Sequence, residues 1–503
     1  MRTSVAWLPA LPVLIPFLTA SVLVLVRRYP EVQRAVSVAG AAALLAAGAV
    51  LVSAVCREGT LVAQAGNWPA PFGITLVADR LAAILVAIAG LVGLTAVIYA
   101  LADIPEDRRR AGVHPVMHLL LAGVCGAFLT GDLFNLFVWF EVMLMSSFVL
   151  LALGARAGHL EGAVKYLVLN FLSSGLFLAA AGLLYGSLGT LNLADLAVRL
   201  RSLPEPGTAF AAGVLLLVSF GIKAAVFPLF SWLPASYHTA PIAISALFAG
   251  LLTKVGVYAL MRSYALFFSV DAGWFGALLL WAAVATMLVG VLGAAAQYEI
   301  RRILSWHIIS QIGYMTLGIA LFTQGAVAAA VFYVIHHILV KTNLFFLSGA
   351  IEQAAGSDRL DRIGGLYRSA PLLSGLFLIP AFSLGGIPPL SGFFAKFGLL
   401  QAGFEIGAWV PLAVALLVGL LTLFSMTKIW AEVFWKEPPA GAAPAGNPGV
   451  LRLIPIAVLA SSTMLISLWP EPLLGYTAAA GQELVDGDAY IQAVLGVVEG
   501  GGQ

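Results

Sequence analysis

Glu141, Lys223, Lys254, His336, His337, Lys341 and Lys396 each sit inside a long apolar run of the chain. A charge near the middle of a bilayer costs about 2.5–3.5 kcal/mol on insertion scales, so ionisable residues placed there are paired, wet or functional. Lysine, histidine and glutamate can each gain or lose a proton when desolvated, whereas arginine stays protonated. Such a set suits proton transfer from group to group rather than the making or breaking of heavier bonds. The chain has 26 Lys and Arg together. Nearly every Arg lies between the apolar runs, and of the lysines only Lys436 lies clearly outside them.

Glu141 lies mid-run in FNLFVWFEVMLMSSF, with no other charge between Asp132 and Arg156. It reads as a proton carrier or as an acid that locks two helices together. Lys223 stands little more than a turn before Pro228, where unwound backbone frees carbonyls, admits water and lets a lysine change protonation state. A Glu141–Lys223 pair across neighbouring helices is the natural arrangement. Moving a proton at one would change the affinity of the other by Coulomb coupling; the alternative is a static salt bridge.

Lys254, in ISALFAGLLTKVGVYALM, is too deep to snorkel and reads as a relay or as a donor to carbonyls. In HHILVKTNLFF, His337 and Lys341 are four residues apart on one helical face, with His336 rotated away by about 100°. Histidine titrates near neutrality and passes a proton between two distinct nitrogens. Metal binding is disfavoured there, since no Cys or carboxylate stands at ligand spacing. Lys396 follows Pro388–Pro389 by two turns, mirroring Lys223 at Pro228, with snorkelling to the interface as the alternative. Lys428 is expected to snorkel and Lys165 to anchor its helix at the interface.

No nucleophile–base–orienter trio, phosphate-binding glycine loop or metal cluster is evident, and no cofactor is expected. Cys56 and Cys125 cannot ligate an iron–sulfur cluster, so any electron chemistry belongs on another chain. No group of carboxylates and hydroxyls stands out as a cation cage.

The elements that hold these residues follow from composition. The chain has 503 residues, 61% hydrophobic and 10% charged, with a mean hydropathy of +1.00. Soluble domains carry about a quarter charged residues, and no stretch here is long and polar enough to fold in water as a domain. An all-α polytopic membrane protein is expected. Fourteen spans are expected, near 5–26, 35–56, 80–101, 114–130, 133–154, 162–186, 208–231, 241–262, 274–297, 304–322, 326–350, 372–402, 408–434 and 451–470. The 52 glycines suit close helix packing better than a nucleotide site.

Spans seven and twelve are interrupted alike, at SFGIKAAVFPLFSWLP (219–234) and SLGGIPPLSGFFAKF (383–397). Two broken helices five spans apart point to an inverted-repeat transporter. The expected units are 1–112 (spans 1–3), 113–265 (first repeat, spans 4–8), 266–436 (second, inverted repeat, spans 9–13) and 437–503 (linker, span 14 and an acidic tail). Loops after odd-numbered spans hold fourteen Lys and Arg against six on the other side, Arg262 among the six. The richer side is therefore expected in the cytoplasm, with both termini outside. The stretch 438–449 reads as a flexible linker, and 190–203 as a short interfacial helix.

The segments GNWPAPFGITLVADRLA (66–82), GDLFNLFVWFEVMLMSSFVLLALG (131–154), KAAVFPLFSWLPASYHTAPIAISALFAGLLTKVGVYAL (223–260), SWHIISQIGYM (305–315) and SGFFAKFG (391–398) resemble the antiporter-like subunits shared by respiratory complex I and Mrp-type cation/proton antiporters. The resemblance runs through almost the whole chain and is greatest to the Mrp type. It implies fourteen helices, two inverted five-helix repeats and broken helices seven and twelve. It also implies a proton path over Glu141, Lys223, Lys254 and Lys396, with His336, His337 and Lys341 where the family joins its two half-channels. Lysine at 396 resembles the Mrp type; one complex I homologue carries glutamate there and others carry lysine, so the residue alone does not separate the two. No long extension follows the last span, which is expected to separate this chain from the largest members. The partners implied are sibling antiporter subunits, the lipid bilayer, protons and Na⁺, in a bacterial cell membrane. The rival is a proton-pumping membrane subunit of a complex I-type NADH–quinone oxidoreductase or a related hydrogenase, with the same internal residues. A third possibility is a scaffold whose buried charges are static.

Overall fold

Apolar runs bounded by proline, glycine and capping side chains fold as helices throughout. The computed structural model describes residues 7–153, 157–203, 207–267, 272–439, 446 and 448–496. The expected linker at 438–449 falls largely outside these residues, as do Arg2 and Arg156 from the orientation count.

The chain opens with α1 (Leu11–Leu25) and α2 (Pro30–Glu58), followed by an antiparallel hairpin of β1 (Leu61–Gln64) and β2 (Thr75–Ala78). Next come α3 (Arg80–Asp103), the short α4 (Glu106–Arg110), α5 (Val113–Leu129), α6 (Leu133–Ala152) and α7 (Ala157–Leu188). The amphipathic α8 (Leu193–Arg201) precedes α9 (Gly207–Ala224), the single turn α10 (Trp232–Ser236) and α11 (Ile242–Leu247). A π-helical turn, Phe248–Leu252, joins α11 to α12 (Thr253–Leu266). The second half runs through α13 (Ala272–Ala295), α14 (Ile300–Leu321), α15 (Gln324–Ala355), α16 (Leu366–Ser369), α17 (Pro371–Gly385), α18 (Ser391–Glu405) and α19 (Trp409–Trp430). It closes with α20 (Val450–Leu468), α21 (Glu471–Asp486) and α22 (Asp488–Leu495).

Twelve helices among the described residues are long and apolar enough to cross a membrane, while α5 and α17 are apolar but shorter. The expected all-α polytopic class holds. Helix starts follow capping chemistry: Asp79 accepts from Ala82 N–H, Asp132 from Asn135 N–H and Thr323 from Ala326 N–H. Two segments, Ile242–Leu266 and Gln324–Ala355, have their most apolar windows wholly buried, so they face protein on every side. They also carry Lys254, His336, His337 and Lys341.

Three features depart from the sequence reading. The stretch after α2, expected as a loop, contains the β1–β2 hairpin, in which Thr75 Oγ1 donates to Gln64 Oε1 at 2.8 Å. Arg262, counted among the loop bases, is instead buried in α12, paired with Asp79 at 2.6 Å, both side chains 5% exposed. Its guanidinium lies over the rings of Tyr258 and Tyr490, because a planar, weakly hydrated cation stacks where an ammonium would not. The acidic stretch after Trp469 folds back as α21 and α22. There, Glu483 pairs with Arg80 and Asp488 with Arg201, while α21 packs along α15.

Candidate functional site

The helix α9 ends at Ala224, and Ala225 takes a left-handed conformation, φ +61°. The backbone can then turn, with Ala225 N–H donating to Ile222 O and Val226 N–H to Gly221 O. Trp232 Nε1 also donates to Ile222 O, at 2.9 Å. With these carbonyls occupied, Lys223 reaches sideways to α7, donating to Asn170 O at 3.3 Å and lying 3.5 Å from Ser174 Oγ. The same Ser174 hydroxyl donates to the Glu141 carboxylate on α6.

Glu141 and Lys223 therefore do not form the direct ion pair expected from the sequence; no such contact lies within 4.0 Å. The helix α7, packed against both α6 and α9, places Ser174 between them. A cavity of about 20 Å³ beside Lys223, lined by Asn170, Tyr166, Phe140 and Trp232, has room for about one water. Gly256 of α12 allows this crowding: a Cβ there would meet Ala224 N at 2.4 Å.

Lys254 is fully buried and donates to Ala249 O, inside the π-helical turn. An i→i+5 turn leaves carbonyls poorly served by the helix itself, and the lysine takes one of them. On α15, His336, His337 and Lys341 are all buried. His336 Nδ1 lies 2.8 Å from Ser391 Oγ, which is 2.9 Å from Ser383 Oγ. Both ring nitrogens of His337 and the Nζ of Lys341 have no protein partner. Buried polar groups are nearly always paired with protein or ordered water, so this cluster is a place for water.

The second break mirrors the first in position but not in bonding. The helix α17 ends at Gly385, and Gly386 takes a left-handed conformation, φ +88°, with Gly386 N–H and Ile387 N–H turned back on Phe382 O and Ser383 O. Lys396, from the second turn of α18, donates to Leu384 O and Gly385 O at 2.9 Å each and stands 5.3 Å from the Tyr314 ring centre. It is 8% exposed and does not reach for an interface. Lys428 donates to Ala295 O and Gln297 O at the end of α13, and Lys165 pairs with Glu161 at the surface.

The seven residues singled out in the sequence thus occupy buried or partly buried positions along one row of helices. Sequence reasoning missed Ser174, which carries no charge to mark it. It also missed His307 on α14, which is fully buried with both ring nitrogens unpartnered. The signal for His307 was present, a histidine within an apolar run. At one end of the molecule a cavity of about 670 Å³ is lined by Asp103, Arg108, His238, Arg301, Glu352 and Arg452.

The family model described as NADH:quinone oxidoreductase/Mrp antiporter, transmembrane, matches residues 130–422. The chain is 44% identical to the D subunit of the Na⁺/H⁺ antiporter of Alkalihalophilus pseudofirmus, over 96% of this chain and 98% of that one. A chain in the structure of the Mrp complex from Dietzia sp. DQ12-45-1b superposes with a TM-score of 0.92 at 35% identity, covering 98% of this chain and all of the other. A chain of respiratory complex I from Thermus thermophilus shares the fold, with a TM-score of 0.81 at 24% identity and coverage of 95% and 99%.

Proposed function

We propose, from the premise that this chain belongs to the NADH:quinone oxidoreductase/Mrp antiporter transmembrane family, that it is the D-type subunit of a multi-subunit secondary Na⁺/H⁺ antiporter. It is a multi-pass membrane protein of a bacterial plasma membrane and a transporter subunit rather than an enzyme. Its task is to carry protons inward under the proton-motive force in exchange for cytoplasmic Na⁺, within a complex of sibling Mrp subunits.

The observation that carries this reading is the row of ionisable groups inside the apolar bundle. It begins with Glu141 and Lys223, joined through Ser174. It continues through Lys254, His336, His337 and Lys341, and ends at Lys396 on the α17 carbonyls. Proton arrival at Glu141 weakens its hold on the Ser174 hydroxyl and on the nearby ammonium, which favours proton release from Lys223. Each release alters the field at the next base, strongly so in a poorly screened interior. Helices α5–α12 and α13–α19 supply the two repeats, each with a broken helix holding its lysine. The end bearing Arg108, Arg301, Arg302, Arg359 and Arg452 faces the cytoplasm, and both termini lie outside. With Arg262 buried rather than in a loop, the charge asymmetry behind that orientation widens.

The test is ΔpH-driven Na⁺/H⁺ exchange in vesicles carrying the whole complex, wild type against Lys223→Ala at matched assembly. Loss of exchange with the complex intact is expected. Wild-type vesicles that show no Na⁺-dependent proton flux, yet pump protons when NADH is added, would overturn the antiporter reading in favour of a redox pump. Unchanged exchange in Lys223→Ala would leave the buried charges as scaffold.

A further inference from the structure

On α14, His307, Gln311 and Tyr314 stand at i, i+4 and i+7, along one helical face. Two of the three are visibly engaged with the buried row. Gln311 Oε1 accepts from Tyr333 Oη at 2.5 Å. The Tyr314 ring lies under Lys396 Nζ and stacks on Tyr333 with centroids 5.2 Å apart, and Tyr333 meets the edge of the His336 ring at 5.8 Å.

His307 begins this face. It is fully buried, and neither ring nitrogen has a protein partner. The helix α14 packs against both α15 and α18, and the charged or titratable groups whose fields reach the His307 ring are Lys341 and His337 on α15 and Lys396 on α18; Lys254 of α12 acts on the same Lys341 and His337. A histidine serving only as packing would leave two polar nitrogens unpaired, at a cost of about 1–3 kcal/mol each. A Phe or Leu would fill the space without that cost.

From Lys341 to Lys396 the row must cross from α15 to α18; His336 meets Ser391 of α18 at 2.8 Å, and α14, packed against both helices, offers a second crossing. We infer that His307 serves this second crossing as a proton relay. A proton leaves the Lys341 ammonium and arrives at one imidazole nitrogen. The proton on the other nitrogen departs through water along the Gln311 and Tyr314 side of α14 to a neutral Lys396 amine, the Tyr314 hydroxyl itself being held on Ala415 O. Lys341 ends neutral, Lys396 ends charged, and His307 returns to a neutral ring in its other tautomer. Imidazole suits the position because its two nitrogens accept on one side while donating on the other. The inference rests on the reading of this chain as a proton carrier.

The experiment is Na⁺/H⁺ exchange by the whole complex in vesicles between pH 6 and 9, comparing wild type, His307→Gln and Lys223→Ala at matched assembly. Glutamine keeps a donor and an acceptor but does not titrate. His307→Gln is expected to lose exchange by about tenfold or more, the low end of what a positioned proton-transfer group contributes, and to displace the pH profile of what remains. A loss of packing alone would lower the rate without displacing the profile. If His307→Gln exchanges at the wild-type rate with the wild-type profile while Lys223→Ala is silent, the relay role is wrong and the carrier reading stands. If both variants exchange normally, the carrier reading fails and the relay with it. Should His307→Gln not assemble, His307→Asn is held to the same criteria.

Discussion

The two broken helices solve one problem with different partners. At the first, α9 ends on its own turn and on the Trp232 indole, which leaves Lys223 free to face Ser174 and, through it, Glu141. At the second, Lys396 is itself the cap, bound to two carbonyls at the end of α17, where the helix dipole favours a cation. One ammonium rests on a single carbonyl, Asn170 O, and beside a serine shared with an acid whose charge can be cancelled by a proton; the other is held by two backbone carbonyls that cannot be titrated. The first break can therefore respond to a proton arriving on a neighbour, whereas the second responds only when the lysine itself loses or gains one. The left-handed residue differs as well: Ala225 in the first, Gly386 in the second.

The largest expected effect lies at the switchable end. Glu141→Gln keeps the hydrogen bond from Ser174 but removes the titratable charge, and is expected to cut exchange by about 100-fold or more in a complex that still assembles. Exchange within threefold of wild type would erase the functional distinction between the two breaks.

Gly386→Ala comes next. A Cβ at Gly386 would stand 2.9 Å from Lys396 Cδ, and the backbone there is left-handed, so the lysine must move off its carbonyls. A fall of about tenfold in exchange is expected, with a stability cost of about 1–2 kcal/mol from the backbone alone. Ala225→Gly, the reciprocal change, relieves the same strain and is expected to leave exchange intact with stability unchanged or higher. Equal effects from both substitutions would mean that the left-handed turn, rather than its contact with lysine, is what matters.

What could be read without the structure divides along physical lines. A charged residue inside an apolar run announces itself by its cost, which is why Lys223, Lys254, Lys341 and Lys396 were legible. Proline and paired glycine mark a helix break with similar clarity. Ser174 announces nothing, because a hydroxyl in a membrane helix ordinarily bonds its own backbone; that it stands between Glu141 and Lys223 is decided by the packing of α6, α7 and α9. Arg262 misled for the opposite reason. It sits near the end of an apolar run, where arginines usually meet water, and its partner Asp79 lies far away in the chain and reads as a loop acid. The hairpin strands LVAQ and TLVA are too short to show alternation, and the intervening Gly, Pro and Trp read as loop.

Ser174→Ala is expected to have a smaller effect than Gly386→Ala. It removes the hydroxyl between Glu141 and Lys223 without removing either charge, and the small cavity beside Lys223 offers a water in its place. A loss of about two- to fivefold in exchange, on the order of 0.5–1 kcal/mol, matches one neutral hydrogen bond. A loss as deep as that of Glu141→Gln would make the serine an obligatory proton carrier and the first break a three-residue device.

The smallest effect follows the first break onward into the charged end of the molecule. His238, between α10 and α11, is held down at about 4 by burial first and then by Arg302 and Arg301, with Asp358 opposing. Arg301 Nη1 donates to the His238 carbonyl at 3.1 Å, fixing the residue against those bases. Between about pH 6.5, the ordinary histidine value, and pH 4, the unfolded chain binds a proton that the folded chain refuses, so stability falls as pH falls through that window. His238→Gln removes this contribution. Between pH 7.5 and pH 5.5 the wild-type complex is expected to lose about 1–2 °C more of thermal midpoint than the variant, with no change in exchange at pH 8. A variant that loses exchange at pH 8 would instead place His238, and the cavity it lines with Asp103 and Glu352, on the route by which protons reach the first break.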